Sequence, residues 1–179
     1  MKASLALLGL GVLAALVQGV LATWIPPQLC PDLGLLMVLA AGLCLRSLVG
    51  GLVVVSLLGY LTDLLSGSLL GQHALLRLLA WIAVRYGSRH LSLRTSLALA
   101  TCVAALTLVN ALALSALTSF FAAGAPPDPG WYRDLVPQAL VNAAVAPLAV
   151  RLADQLVSAL GDEGGARRTL RFDSRSWPA

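Results

Sequence analysis

Charge is the scarcest ingredient of this sequence. Only 11% of its 179 residues are Asp, Glu, Lys or Arg, where a soluble domain carries about 25%. Water is therefore not its main solvent. The residues of metal and redox chemistry are scarce too. Cys30, Cys44 and Cys102 form no C-x-x-C pair, and the two His do not cluster with them. No metal and no cofactor is expected, and the cysteines read as small apolar filling within helices. There is no G-x-S-x-G elbow, no H-E-x-x-H and no P-loop. No basic stripe is interleaved with exposed aromatics, so the net charge of +4 does not point to nucleic acid.

Apolar residues are what is there, 59% of the chain. A helix needs roughly 20 of them to cross a bilayer. The pattern predicts an all-α integral membrane protein, a six-helix bundle with spans near 3–24, 29–45, 48–65, 69–86, 97–121 and 135–156. A polar basic tail, 161–179, follows this helical domain of residues 1–160. The first apolar run is longer than the h-region of a cleaved signal, so it reads as a retained helix. Trp24 suits an interface, and Pro26-Pro27 ends that helix. The second run is short. It is a thin span, a span completed by the residues before it, or a re-entrant segment buried in protein. The segment 122–134, with Pro126, Pro127, Pro129 and Gly130, reads as an irregular loop. Trp131 and Tyr132 suit an interfacial belt. Pro137 fits the first turn of the sixth span, and Pro147 lies inside it.

Positive charge sets the orientation. With six spans and the N-terminus inside, Lys2, Arg46, Arg85, Arg89, Arg94, Arg151, Arg167, Arg168, Arg171 and Arg175 are cytoplasmic. That is ten of the twelve Lys and Arg. A re-entrant second run would break the parity and carry the arginine-rich tail outside, so six spans with both termini cytoplasmic are favoured. The tail arginines serve to hold topology, to bind anionic membrane lipid, or both.

Asp63 and Arg77 are the charges placed well inside spans. Each costs about 2.5–3.5 kcal/mol near the bilayer centre on insertion scales, so each needs a reason. Either the two pair across the hairpin of spans three and four, or Asp63 ends a helix at the headgroups while Arg77 snorkels. Ser66, Ser68, His73 and Asp63 supply the residue types of a hydrolase, but turn serines after a helix are common and no motif orders them. Asn110 and Asn142 read as inter-helix hydrogen-bonding groups ahead of ligand contacts. Gly11, Ala15 and Gly19, spaced by four, form a small-residue stripe that admits another backbone, within the bundle or from a partner.

The stretch G-Y-L-T-D-L-L-S-G-S-L-L-G-Q-H-A-L-L from Gly59 to Leu76 resembles the signature hairpin of the bacterial rod shape-determining protein MreD family. Gly59, Asp63, Ser66, Gly67, Gly71, Ala74 and Leu75 occupy the pattern's places, with His73 between them. Pro31-Asp32-Leu33 is similar to the family's start of its second helix. Leu69 and Arg77 depart from the pattern, which more often has Pro and an apolar residue there. The resemblance implies a fold similar to the substrate-binding subunits of energy-coupling-factor transporters. It implies a non-enzymatic scaffold of the cell-elongation complex in the bacterial inner membrane. The implied partners are MreC directly, and MreB, RodA and a class B penicillin-binding transpeptidase in the wider assembly. Asp32, Gly59, Asp63, Ser66, Gly67 and Gly71, with His73 and Arg77 added from the reading of the residues themselves, are the candidate partner-binding or structural motif. A second reading is a vitamin-binding membrane subunit of such a transporter, which, without its own P-loop, would need an ATPase partner.

Overall fold

The structure is a computed structural model that describes residues 1–67, 70–90, 96–121 and 129–160, with backbone alone at 89–90 and 129–132. The tail 161–179, the loop residues 122–128, Ser68, Leu69 and Arg94 lie outside the described residues, as do the side chains of Arg89, Trp131 and Tyr132.

Among the described residues six α-helices follow one another: α1 (Lys2–Trp24), α2 (Leu33–Cys44), α3 (Leu48–Ser66), α4 (Gln72–His90), α5 (Ser96–Phe121) and α6 (Pro129–Ala159), with a 3-10 turn at Pro27–Leu29 before α2. Pro26 and Pro27 lack the N–H that would extend α1, so the chain leaves it there. Asp32 caps α2, its Oδ1 accepting from the Leu35 N–H at 2.9 Å, and Ser47 caps α3 through the Gly50 N–H at 3.0 Å. These are the short polar side chains that suit a helix start. Gly67 closes α3 in the left-handed region at φ 61, where a Cβ would be strained.

The short helix sits in the middle. Ten of the twelve residues of α2 are buried, and α1, α3, α4 and α6 all pack on it. At a rise of 1.5 Å per residue it is only about 18 Å long, and its neighbours rather than lipid cover it. Outside α2 the polarity of a soluble protein is reversed. Leu5, Leu16, Val20, Leu57, Leu79, Leu112 and Leu148 are exposed, while Asp63, Gln72, Arg77, Thr107 and Asn142 are buried. A water-soluble monomer rarely shows so much contiguous apolar surface; a bilayer requires it.

Among the described residues five segments are long and apolar enough to cross a membrane: Lys2–Trp24, Pro27–Cys44, Leu48–Ser66, Ser96–Phe121 and Arg133–Ala159. Together they make this a multi-pass membrane protein. The remaining helix, α4, carries Arg77, Arg85 and Arg89 and falls short of that composition. Two boundaries differ from the expectation. The helix α6 begins at Pro129, inside the segment read as an irregular loop, because proline is well placed at a first helical position. Pro137 therefore stands inside α6 along with Pro147, not in its first turn. The stripe on α1 divides. Gly11 is buried, and a Cβ there would meet the Leu58 side chain of α3, whereas Gly19 is exposed with open space around its Cβ direction.

Candidate functional site

The α3–α4 hairpin is organised by Asp63. Its side chain is buried, yet both carboxylate oxygens are occupied. Oδ1 accepts from the His73 backbone N–H at 2.8 Å and lies 2.9 Å from His73 Nδ1. Oδ2 accepts from the Gly71 N–H at 2.9 Å and the Ala74 N–H at 3.3 Å. Those backbone donors belong to Gly71, just before α4, and to the first turn of α4, which has no partner for them within the helix. The carboxylate thus caps α4 from the neighbouring helix, where the helix dipole favours negative charge. Gly71 turns the chain into position at φ 92, a conformation glycine adopts without the Cβ penalty. One turn earlier on α3, Gly59 lets the two backbones meet, since a Cβ there would land on the Ala74 Cα.

Arg77 does not close on Asp63. Its Nη2 lies 3.1 Å from Asp32 Oδ1, so neither a pair within the hairpin nor a snorkelling arginine is seen, but a pair between α4 and the N-terminus of α2. The reason is geometric. Asp63 is fully engaged by the start of α4, whereas Asp32, as the cap of the short α2, is recessed to the depth of Arg77. Space is made by Gly34, whose missing Cβ position the guanidinium fills. This accounts for the arginine at a place where the hairpin pattern is usually apolar.

Other helices join at the same point. Asn142 of α6 is fully buried; its Oδ1 accepts from the Asp32 N–H at 2.8 Å, and its Nδ2 donates to Thr107 Oγ1 of α5 at 3.1 Å. Gln18 of α1 accepts from the Gly34 N–H at 3.3 Å. Five helices therefore meet through polar groups around one helix start. Beside it opens a cavity of about 370 Å³, lined among others by Asp32, His73, Arg77, Asn110, Asp134 and Gln138.

A family model described as rod shape-determining protein MreD matches residues 3–149. The chain belongs to the MreD family. No curated protein and no solved structure matches it. MreD proteins act in rod shape determination and are not a known enzyme family. In this MreD-family chain the hairpin residues Asp63, Gly71 and His73 are joined by hydrogen bonds and Gly59 packs on Ala74 beside them, with Gly67 and Ser66 at the end of α3. Ser66 Oγ donates to the Asp63 carbonyl oxygen at 3.4 Å and borders the cavity. Asp32 and Arg77 form a second node. Gly11, Ala15 and Gly19 lie on α1 outside both.

Sequence reasoning missed Asp134 and Gln138 on the cavity wall, and Gln18 and Thr62 with them. A signal was present: Asp134, Gln138 and Asn142 repeat every fourth residue and so share one face of a helix. It is readable only if α6 begins before Asp134, and the prolines and glycine at 126–130 argued otherwise.

Proposed function

We propose that the chain is a non-enzymatic scaffold of the bacterial cell-elongation machinery, resident in the inner membrane. The observation that carries this reading is the family match over 3–149. The chemistry of the hairpin supports it. Asp63, one of the groups there that resemble a catalytic acid or base, has both oxygens given to backbone caps and to His73, so its role is to fix the turn. The helix α4 crosses the membrane as the fourth of six spans, both termini are cytoplasmic, and the hairpin between α3 and α4 faces the outer side. MreC is the direct partner; MreB, RodA and a class B penicillin-binding transpeptidase belong to the wider assembly.

Because Gly11 is already taken up against α3, Ala15 and Gly19 of α1 are the small residues left to receive a partner helix. Copurification tests the reading. MreC is recovered with the tagged chain from membranes, and Gly19→Leu lowers that recovery while the melting temperature of the purified chain is unchanged. Depletion in a rod-shaped cell rounds it. Depleted cells that keep their shape, or membranes from which MreC is not recovered, would refute the scaffold.

A further inference from the structure

Not every polar side chain on α6 holds the bundle together. Asn142 does, through Asp32 and Thr107. Gln138 and Asp134, one and two turns before it, share its face and border the cavity of about 370 Å³. From α5 the wall takes Thr107, Asn110 and Leu114 in turn. The two helices follow one another in the chain and run past the cavity in opposite directions. Starting from the Thr107–Asn142 bond, Asn110 stands about 4.5 Å and Gln138 about 6 Å further along, at 1.5 Å per residue. Their amides thus border the cavity at nearly one level, with Asp134 a turn beyond. The side chains of Asn110, Gln138 and Asp134 form no hydrogen bond or ion pair among the described residues. The space has the size of a ligand pocket, and it is furnished with polar groups that the fold does not use.

Charge decides what the cavity takes. Arg77 is spent on α2. Its Nη2 pairs with Asp32, and the guanidinium otherwise packs against Gly34. Asp63 is engaged by His73 and the start of α4. Among the described residues this leaves Asp134 as the uncompensated charge on the wall, and it is negative. Its neighbour Arg133 is exposed and forms no pair with it. An anion is repelled there, and a cation is attracted more strongly than in water, because the bundle around it is of low dielectric. A bare metal ion fits poorly. Calcium takes about six to eight oxygens within about 2.6 Å, and no group of three His, Cys, Asp or Glu is placed to hold a metal among the described residues. An organic ammonium needs one carboxylate for its charge and neutral partners for the group attached to it. Asn110 and Gln138 each present a carbonyl oxygen and an NH2, the complement of an amide or a hydroxyl. We propose that this cavity binds a small organic cation, a primary amine carrying an amide or hydroxyl group. Its ammonium lies at Asp134 and its neutral polar group between Asn110 and Gln138. The site stands independently of the scaffold reading.

The test titrates the full chain in detergent with glycinamide and ethanolamine, read by thermal shift and by calorimetry. Methylammonium carries the charge without the neutral group, acetamide the neutral group without the charge, and acetate the wrong charge. Calcium chloride tests for a metal. Asp134→Asn removes the charge and leaves the Asp32–Arg77 pair in place. Asp154→Asn is the control, removing the same charge about 30 Å away along α6. Gln138→Leu alters the neutral wall.

Saturable binding of glycinamide or ethanolamine is expected, at least about tenfold tighter than that of methylammonium, acetamide or acetate. Asp134→Asn weakens it about tenfold, the scale of a lost charge-assisted hydrogen bond, and Asp154→Asn leaves it unchanged. Gln138→Leu weakens glycinamide and ethanolamine but not methylammonium. The proposal is overturned on the parent chain alone if acetamide binds as well as glycinamide, if calcium binds more tightly than either amine, or if neither amine binds saturably. It is overturned too if Asp134→Asn binds like the parent, or if Asp154→Asn loses as much, in variants whose unliganded melting temperature is unchanged.

Discussion

Arg77 occupies the space that a side chain at residue 34 would need, and Asp32 supplies its counter-charge. Removing one partner of such a pair leaves a buried charge uncompensated, which costs about 3–5 kcal/mol, whereas replacing both is far milder. Asp32→Asn keeps a side chain able to cap α2 but strands the guanidinium, so a loss of about that size is expected in equilibrium denaturation in detergent. Adding Arg77→Met should recover much of it. Simple additivity of the two losses would show that the pair does not couple them. Gly34→Ala belongs to the same cycle. In the parent chain its Cβ displaces the guanidinium and is destabilising; in the Arg77→Met background it is tolerated, because a flexible thioether yields the space.

At the level of elements, the helices are held by their ends and by close backbone approach. The helix α4 secures both ends of α2. Arg77 reaches the Asp32 cap, and Arg85 donates to the carbonyl oxygens of Leu45 at 2.8 Å and Arg46 at 2.7 Å. Eight residues of α4 rise about 12 Å, and two long side chains extending apart cover the rest of α2. Arg85→Gln removes charged donors from those carbonyls, and a loss of about 1.5–3 kcal/mol is expected in thermal melts. Between α3 and α4, Gly59→Ala drives a methyl into the Ala74 backbone and should cost about 1–3 kcal/mol through forced separation of the helices. Gly9→Ala, with open space at its Cβ, is the control and should be neutral or slightly stabilising. Equal effects of the two would refute the close approach. The sequence made the helices legible because long apolar runs and prolines mark their lengths, and Gly59 and Asp63 stood out from the hairpin's pattern. The pairing of Asp32 with Arg77 was not legible. It joins residues 45 positions apart, and it depends on how deeply the short α2 is recessed, which no local spacing encodes. The start of α6 was hidden for the opposite reason, since local proline and glycine signals outweighed the polar face of Asp134, Gln138 and Asn142 that follows them.

On the scale of the whole molecule, α4 decides the topology. It has the three arginines that withhold it from the plainly apolar segments, yet Arg77 is paired internally and Arg85 is folded back onto the end of α2. Charges neutralised within the bundle do not face lipid, so composition understates how well α4 tolerates a bilayer. If α4 crosses, the ends near residues 24, 67 and 121 lie on one side and residue 47 on the other. If it does not, the parity of α5 and α6 inverts, and the end of α5 joins residue 47. Single cysteines placed at 24, 47, 67 and 121, after Cys30, Cys44 and Cys102 are replaced by alanine, separate the cases through labelling of intact cells with a membrane-impermeant maleimide. Labelling at 24, 67 and 121 with protection at 47 is the expected pattern, and a reporter fused at the C-terminus should read cytoplasmic. Protection at 121 with labelling at 67 would mean that α4 lies within the bundle without crossing. It would also place the C-terminus outside, against the clustering of Lys2, Arg46 and Arg85 with the tail arginines that retention of positive charge on the cytoplasmic side favours.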